Sequence, residues 1–588
     1  MYHLLSRYSI KRKRIFVNHN HPPPSFCFFF SFLFTIKSRS AKLSSSVELN
    51  NDFVHRVKIT NLPTHELGAI KIFFQSFGIH KYKKAPKWDY AYLNFETEEA
   101  ARSAVFKLHG AEFKKRNLSA EYSKVPEKSS SSTLLLHPSK EQQQRGLSEI
   151  EKDDRPIAER LADQVTPLHK IAYEDQIAKK HKLGARYLNK LRKKLNSLPD
   201  ISDVGKQQIA WTKTLEDMQC EVFDIIHSPS IDEYRTKCEF SIGKNLEGNE
   251  TVGFVLGLYK DGITTVSSPN ECLHVSKKAK EIAKMMEEYV RQSEYEVYDR
   301  VKKRGVWRTM MTRTQRTGDV MVLIQINAES LTEEQLVQEK KNLINYWSHF
   351  FSKGEENTKN TLMLQIWNGN SNGITDKGKT EILTGDGYVY EELLGHRFQI
   401  SYNSFFQVNT PVTELLYAKC AEWCYQPNKE KKTTLLDLCC GTGTIGITMA
   451  KSVDQVIGIE MVPEAIVDAK ANALMNNVSN IQFYTGKVED RLDIVTNKEK
   501  HEEVIAILDP PRSGVHSSVI RAIRETLAIQ KVIFISCDAK QAMQNFIGLC
   551  RPTSKKYQGS PFKPSKAVSV DLFPHTEHCE LMIEFIRT

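Results

Sequence analysis

Reactive side chains stand directly after hydrophobic segments in the last third of this 588-residue chain. Residues 504–508 lead into Asp509, and residues 531–536 lead into Cys537. Because the carboxyl ends of neighbouring parallel strands face one crevice, we expect Asp509 and Cys537 to lie beside the same ligand. A thiol at the end of a strand is a candidate nucleophile. The two segments therefore predict an active site.

A glycine-rich turn upstream of these segments predicts nucleotide binding. The apolar residues 435–438 run into Cys439, and the turn that follows contains Gly441 and Gly443. A second apolar segment ends at Glu460, where a carboxylate can accept hydrogen bonds from both hydroxyls of a ribose. The turn also has the glycine spacing of a dinucleotide site, so NAD stays open on this motif alone.

The elements that position these residues repeat as strand, glycine turn and helix from residue 433 onwards. This repeat predicts a Rossmann-like α/β domain over residues 396–588. Residues 201–395 contain short apolar segments separated by Gly, Asn and Asp, which is typical of antiparallel strands. We therefore expect a central antiparallel β-rich domain. Its strand cations are candidate RNA contacts, although ordinary surface charge is the simpler explanation.

Residues 55–124 follow the order strand, helix, strand, strand, helix, strand. Tyr90 and Tyr92 stand two apart, so both rings lie on one face of a strand, where they can stack on unpaired bases. Segments 57–62 and 88–95 resemble the two short signatures of the RNA recognition motif. The resemblance implies an N-terminal RRM-like α+β domain that binds RNA. The alternative is the same fold used for protein contacts.

Most of the formal charge of +11 comes from the N-terminal arm, residues 1–54. Its first 47 residues contain eight Lys or Arg and no acid, which leaves +3 for the rest of the chain. We expect a disordered basic arm that is either a targeting segment or an extension without that role. The eleven sparse cysteines fit a reducing compartment. The cytoplasm or nucleus is expected, with the mitochondrial matrix as the alternative.

Residues 125–200 are predicted to form a flexible linker followed by a basic helix. Polar Ser and Gln runs occupy residues 126–150, and such tracts behave as tethers. Residues 176–199 contain eight Lys or Arg and no acid, with apolar residues at helical spacing. The basic face of this helix either stays solvated or follows a phosphate backbone.

Five segments of the C-terminal half, taken in order, resemble the RNA 5-methyluridine methyltransferase family. These segments are residues 404–409, 437–443, 509–514, 536–538 and 575–580. The resemblance implies an enzyme that uses S-adenosylmethionine to methylate uridine C5 in tRNA, at uridine 54 of the T-loop. Bacterial ribosomal relatives bind an iron–sulfur cluster through four cysteines. That motif is missing here, which favours tRNA, while other RNAs stay open as substrates.

The resemblance also implies roles for individual residues. Cys537 adds to C6 of uracil, because C5 is too poor a nucleophile to react directly, and Glu580 then removes the C5 proton. The implied cofactor contacts are Gln407, Cys439, Glu460 and Asp509. The alternative function is a non-catalytic RNA-binding or tRNA-folding protein. We expect a monomer without a metal site and without a membrane-spanning segment.

Overall fold

The computed structural model of the chain describes residues 53–79, 82–84, 88–95, 97–114, 116–126, 153–214, 216–257, 264–352, 358–424, 432–496 and 502–588. The predicted N-terminal arm and the serine-rich part of the linker lie almost entirely outside these residues. The chain divides into two compact units, with the boundary between Leu134 and Leu135.

The first unit contains a four-stranded antiparallel sheet in the order β2-β3-β1-β6, together with two helices and a short hairpin. Its elements are β1 (Phe53–Thr60), α1 (Leu67–Ser76), β2 (Tyr82–Lys83), β3 (Ala91–Phe95), α2 (Glu98–Leu108), β4 (Glu112–Phe113), β5 (Arg116–Asn117) and β6 (Ser119–Pro126). Alternate residues of β1 and β3, among them Val57 and Leu93, are fully buried, because the helices cover one face of the sheet.

The two tyrosines that the sequence singled out lie on one face of this sheet. The ring centroids of Tyr90 and Tyr92 are 5.5 Å apart, and Trp88 stacks on Tyr90 at 4.7 Å. The side chains of Lys58 and Arg56 lie over the two rings. The shared face agrees with the spacing of the two residues. That this face binds RNA stays a prediction.

The second unit begins with helices, a seven-stranded sheet, a separate two-stranded sheet and a short strand that joins the C-terminal sheet. These elements are α3 (Ile157–Val165), α4 (Tyr173–Asn196), α5 (Asp203–Gln208), β7 (Glu221–Val222), β8 (Lys237–Lys244), β9 (Glu250–Val255), β10 (Val266–Ser267), α6 (Lys277–Gln292), β11 (Trp307–Thr314), β12 (Val320–Ile326), α7 (Glu333–Phe351), β13 (Asn360–Ile366), β14 (Lys379–Thr384), β15 (Tyr388–Leu393) and β16 (His396–Ser401). The sheet order is β10-β9-β8-β11-β12-β13-β14, antiparallel except for the parallel pair β12–β13.

Both faces of the central strands are covered, which explains their continuous apolar sequence. Met310 and Val322 face helices α6 and α7, whereas Met311 and Leu323 belong to a core shared with the C-terminal sheet. The antiparallel β-rich region therefore packs directly on the domain that follows it.

The C-terminal sheet has eight strands in the order β19-β18-β17-β20-β21-β23-β22-β7. Its further elements are α8 (Thr410–Cys424), β17 (Lys432–Leu438), α9 (Thr444–Met449), β18 (Gln455–Glu460), α10 (Pro463–Met475), β19 (Ile481–Thr485), α11 (Asp493–Thr496), β20 (Glu502–Leu508), α12 (Ser517–Glu525), β21 (Ile529–Ser536), α13 (Ala539–Cys550), β22 (Phe562–Val570) and β23 (Glu580–Arg587). Strands β17 to β21 are parallel, and β23 is antiparallel to both of its neighbours. The mixed α/β class with a Rossmann-like domain is thus confirmed.

Strand β7 extends this sheet by pairing with β22, although its residues lie within the range 201–395 assigned to the central domain. The basic helix predicted over residues 176–199 is α4. In the described part of the chain, no helix combines the length and the apolar character needed to cross a membrane.

Candidate active site

One edge of the C-terminal sheet collects the residues for which the sequence predicted chemistry. Cys439 follows β17, Glu460 ends β18, Asp509 follows β20 and Cys537 follows β21. Strand β23 runs in the opposite direction, so its first residue, Glu580, lies beside the carboxyl end of β21. Parallel strands thus place four of these side chains at their carboxyl ends, and one antiparallel strand adds the fifth.

Cys537 and Glu580 lie next to each other across two hydrogen-bonded strands. Ser536 pairs with Leu581, so the next residues outwards are Cys537 and Glu580. Glu580 is only 2% exposed, whereas Glu577, the neighbouring acid, is exposed to solvent. The strand therefore brings Glu580 rather than Glu577 to the thiol.

The thiol of Cys537 is held in its neutral form. Burial, together with the negative charges of Glu580 and Asp509, raises its pKa to about 11, and the positive charge of Arg512 opposes this rise. Since the thiolate is the nucleophile, ionisation of Cys537 is the step that this environment resists. Access is retained, because the side chain is only half-buried.

The carboxyl groups of Glu580 and Asp509 also favour their protonated forms, because their pKa values are raised. Burial raises the pKa of Glu580 well above its ordinary value, Asp509 adds to the effect, and Arg512 opposes it. One carboxyl oxygen of Glu580, Oε2, is buried without a partner in the described structure. Burial raises the pKa of Asp509 to about 7, although Gln407 Nε2 donates a hydrogen bond to its Oδ2 at 3.2 Å. A carboxylate with a raised pKa is a stronger base once it is ionised.

The glycine turn forms a cradle next to the crevice. Gly441 has φ +52°, and a Cβ there would meet no atom within 4 Å, so a ligand can approach the backbone. The N–H of Gly441 donates to Glu460 Oε2 at 3.1 Å, and the N–H groups of Met461 and Val462 donate to Oε1. Gly443 has φ +80°, and a Cβ there would come within 2.8 Å of a neighbouring phenyl ring. The turn thus requires both glycines and fixes the carboxylate of Glu460.

Sequence reasoning did not assign a role to Asp437, the acid at the end of β17. Its Oδ2 accepts a hydrogen bond from Gly446 N at 2.9 Å, while Oδ1 is buried without a partner in the described structure. Burial raises the pKa of Asp437 to about 7. The position of an acid directly before the glycine turn was the available signal. The cradle therefore offers fixed carboxylates and open backbone, which fit a nucleoside-bearing cofactor.

The sequence also did not reveal a set of contacts, which we call the clamp, that holds the loop between β22 and β23. Lys180 of α4 donates to Asp571 Oδ1 at 2.6 Å, and both side chains are almost fully buried. Gln176 donates to the ring of His575, and His575 Nε2 lies 2.8 Å from an oxygen of Asp232. These contacts fix the loop that leads into β23. The partners are separated by up to 399 residues, so no local pattern could reveal them.

The histidines and cysteine of this loop do not form a metal site in the described residues. No group of three or more His, Cys, Asp or Glu side chains there has the arrangement that would hold a metal ion. Tyr90 and Tyr92, the remaining candidate residues, belong to the first unit.

The strand order, the glycine cradle and the acidic residue at the end of β18 define a Rossmann-like domain for a nucleoside-bearing cofactor. The tRNA (uracil-5-)-methyltransferase family profile matches residues 340–587. Mouse tRNA (uracil-5-)-methyltransferase homolog A is 34% identical over 543 residues, covering 91% of this chain and 84% of the mouse protein. The mouse homolog B is 35% identical over 457 residues, covering 77% of this chain and 90% of the mouse protein. A solved structure of Pyrococcus abyssi tRNA (uracil-54, C5)-methyltransferase in complex with S-adenosyl-L-homocysteine matches with a TM-score of 0.49 at 21% identity, covering 71% of this chain and 85% of that one.

The chain therefore belongs to the tRNA (uracil-5-)-methyltransferase family. It is an S-adenosyl-L-methionine-dependent enzyme that methylates tRNA.

Proposed function

We propose that this enzyme methylates C5 of uridine 54 in the T-loop of tRNA through a covalent bond between Cys537 and C6. The observation that carries the proposal is the placement of Cys537 beside Glu580, at the sheet edge that also holds the glycine cradle. The nucleotide position comes from the resemblance of the five sequence segments. Other RNAs stay open as substrates.

Cys537 starts the reaction by giving its thiol proton to solvent, which the half-buried side chain still contacts, and the resulting thiolate adds its sulfur to C6. The addition moves electron density to C5 and O4, so that C5 acquires the character of an enolate carbon. Arg512 favours this step, because its positive charge lowers the pKa of the thiol. S-adenosyl-L-methionine, when bound, supplies the methyl group for C5.

Glu580 completes the reaction by accepting the C5 proton. Its raised pKa makes the ionised carboxylate a strong base, and its unpartnered Oε2 is available for the proton. Loss of that proton allows the C6–sulfur bond to break, which restores the C5–C6 double bond and releases Cys537. Asp509, held by Gln407, borders the same crevice and contacts the cofactor or the base.

The cofactor-binding residues that we propose are Gln407, Cys439, Gly441, Gly443, Glu460 and Asp509. The fixed carboxylate of Glu460 accepts hydrogen bonds from the ribose, and the open backbone at Gly441 permits close approach. Cys439, half-buried at φ +69°, forms part of the wall of this pocket.

The target base must leave its stack to reach Cys537, since the thiol lies in a crevice. We propose that the RRM-like unit adds affinity for RNA through Tyr90 and Tyr92. The cytoplasm or nucleus remains the proposed compartment, with the mitochondrial matrix as the alternative from the basic arm.

Replacing the thiol tests this function directly. Cys537→Ala should abolish methylation of a T-loop RNA while S-adenosyl-L-methionine still binds in calorimetry, because the thiol acts on the base. Cys220→Ala is the matched control, since Cys220 is also half-buried but lies beside β7 at the far edge of the sheet. Normal methylation by Cys537→Ala would remove this thiol from the mechanism.

A further inference from the structure

Helix α4 has two chemically different faces. Its inner face buries Leu188, Leu191 and Leu195 in the core of the C-terminal domain. Its outer face carries six exposed cations, which we call the basic stripe. The basic stripe consists of Lys179, Lys182, Arg186, Lys190, Lys193 and Lys194.

The cations of the basic stripe form no ion pairs with the described part of the chain. In the described residues, no carboxylate oxygen lies within 4.0 Å of any of them. Other exposed lysines behave differently: Lys206, Lys277 and Lys302 each pair with a carboxylate at 2.9 to 3.5 Å. Like charges four residues apart also weaken a helix. Only Lys193 and Lys194, which lie in the last turn, are favoured by the helix dipole, so the basic stripe leaves most of its charge available to a polyanion.

Helix α4, which carries the basic stripe, packs on the elements that hold the proposed catalytic residues. A Cβ on Gly184, in the middle of α4, would lie 3.6 Å from the side chain of Leu581, the residue after Glu580. Helix α4 also packs on α13, which begins at Ala539, two residues after Cys537. Helix α4 thus packs beside both proposed catalytic residues.

The shape of this surface suits an extended polyanion. Arg186, Lys190, Lys193 and Lys194 line a surface groove of about 460 Å³ with the polar side chains Asn189 and Ser197. From residue 182 to residue 193 the helix rises about 16 Å, at ~1.5 Å per residue. A nucleic acid strand carries one phosphate per nucleotide, so several phosphates can lie along this length.

We infer that the basic stripe binds the phosphodiester backbone of the substrate RNA beside the target uridine. The inference rests on the proposed function in one respect, that the RNA brings a uridine to Cys537. Binding along α4 would hold the flanking strand at the crevice while the base is extruded. Affinity from this surface is electrostatic and independent of sequence.

The experiment compares two triple variants of the full chain that change the charge equally. Lys182→Gln/Lys190→Gln/Lys193→Gln alters the basic stripe, and Lys206→Gln/Lys277→Gln/Lys302→Gln is the matched control. Fluorescence anisotropy with a labelled tRNA transcript gives the Kd at salt concentrations between 0.1 and 0.5 M. Thermal unfolding of both variants checks that the fold is kept, as expected for exposed substitutions.

The basic-stripe variant should show a slope of log affinity against log salt that is shallower by about 2 to 3, at ~0.7–0.9 for each lost contact. Its Kd at 0.15 M salt should rise about fortyfold. A slope that is shallower by ~2 removes this much affinity over the interval between 0.15 and 1 M salt. The control variant should match the wild-type protein. Equal slopes and Kd values for the two variants would overturn the inference. Because the assay needs no catalysis, loss of the proposed reaction with a retained slope difference would refute the proposed function alone.

Discussion

The thiol of Cys537 is predicted to ionise only at high pH, and this property can be measured without substrate. Its pKa is raised from 9.0 to about 11 by burial, by Glu580 and by Asp509. A rise of about two units leaves about one hundredth of the thiolate that an ordinary cysteine has at pH 7.5. Because the neutral thiol is favoured, reactivity should increase with pH well beyond the range in which free thiols level off.

The assay is alkylation of the folded protein by iodoacetamide, with the labelled Cys537 peptide quantified by mass spectrometry. The logarithm of the rate should rise with a slope near one from pH 7 to 10 without a plateau, whereas glutathione should level off. Glu580→Gln should shift the Cys537 profile to lower pH, because it removes the negative charge that Glu580 acquires once it is ionised. Arg512→Gln should shift the profile to higher pH, because it removes a positive charge.

A plateau for Cys537 below pH 9 would refute this reasoning, since it would mean that the crevice stabilises the thiolate. Shifts of the two variants in one direction would contradict the proposed positions of the two charges. Circular dichroism across the pH range separates these outcomes from unfolding.

Two further predictions concern the regions that surround the crevice. Lys180→Met should destabilise the protein by about 3–5 kcal/mol, because it leaves Asp571 charged and buried without its 2.6 Å partner. Lys180→Met/Asp571→Leu should recover most of the thermal midpoint, and a single variant as stable as the wild type would contradict the clamp. Deletion of residues 55–124 should raise the KM for tRNA and leave kcat intact, because this separate unit contains no proposed catalytic residue. Loss of turnover at saturating tRNA in a folded deletion variant would contradict that division.

The parts that the sequence predicted best are those with a local signal. The strand, glycine turn and helix order around Gly441 predicted the Rossmann-like sheet, and the strand ends predicted that Asp509 and Cys537 meet. Glu580 is the first residue of β23, where its pairing with Val570 fixes it beside the thiol.

The parts that could not be predicted depend on contacts between distant segments. The pair of Lys180 and Asp571 joins a helix to a loop 391 residues later, and the charge pattern of α4 gave no sign that one of its lysines is buried. Strand β7 joins the edge of the catalytic sheet through only two residues, too few to show a period. Tertiary packing decides such features after local structure has formed.

The covalent mechanism is tested most directly by Glu580→Gln incubated with tRNA and S-adenosyl-L-methionine that carries a labelled methyl group. Addition by Cys537 and methylation precede proton removal, so both should still occur, while elimination should stall. We predict a protein–tRNA complex that survives denaturing electrophoresis, contains the label and disappears when Cys537→Ala is added. Normal turnover by Glu580→Gln, or inactivity without any covalent complex, would contradict the role of Glu580 as the base that removes the C5 proton.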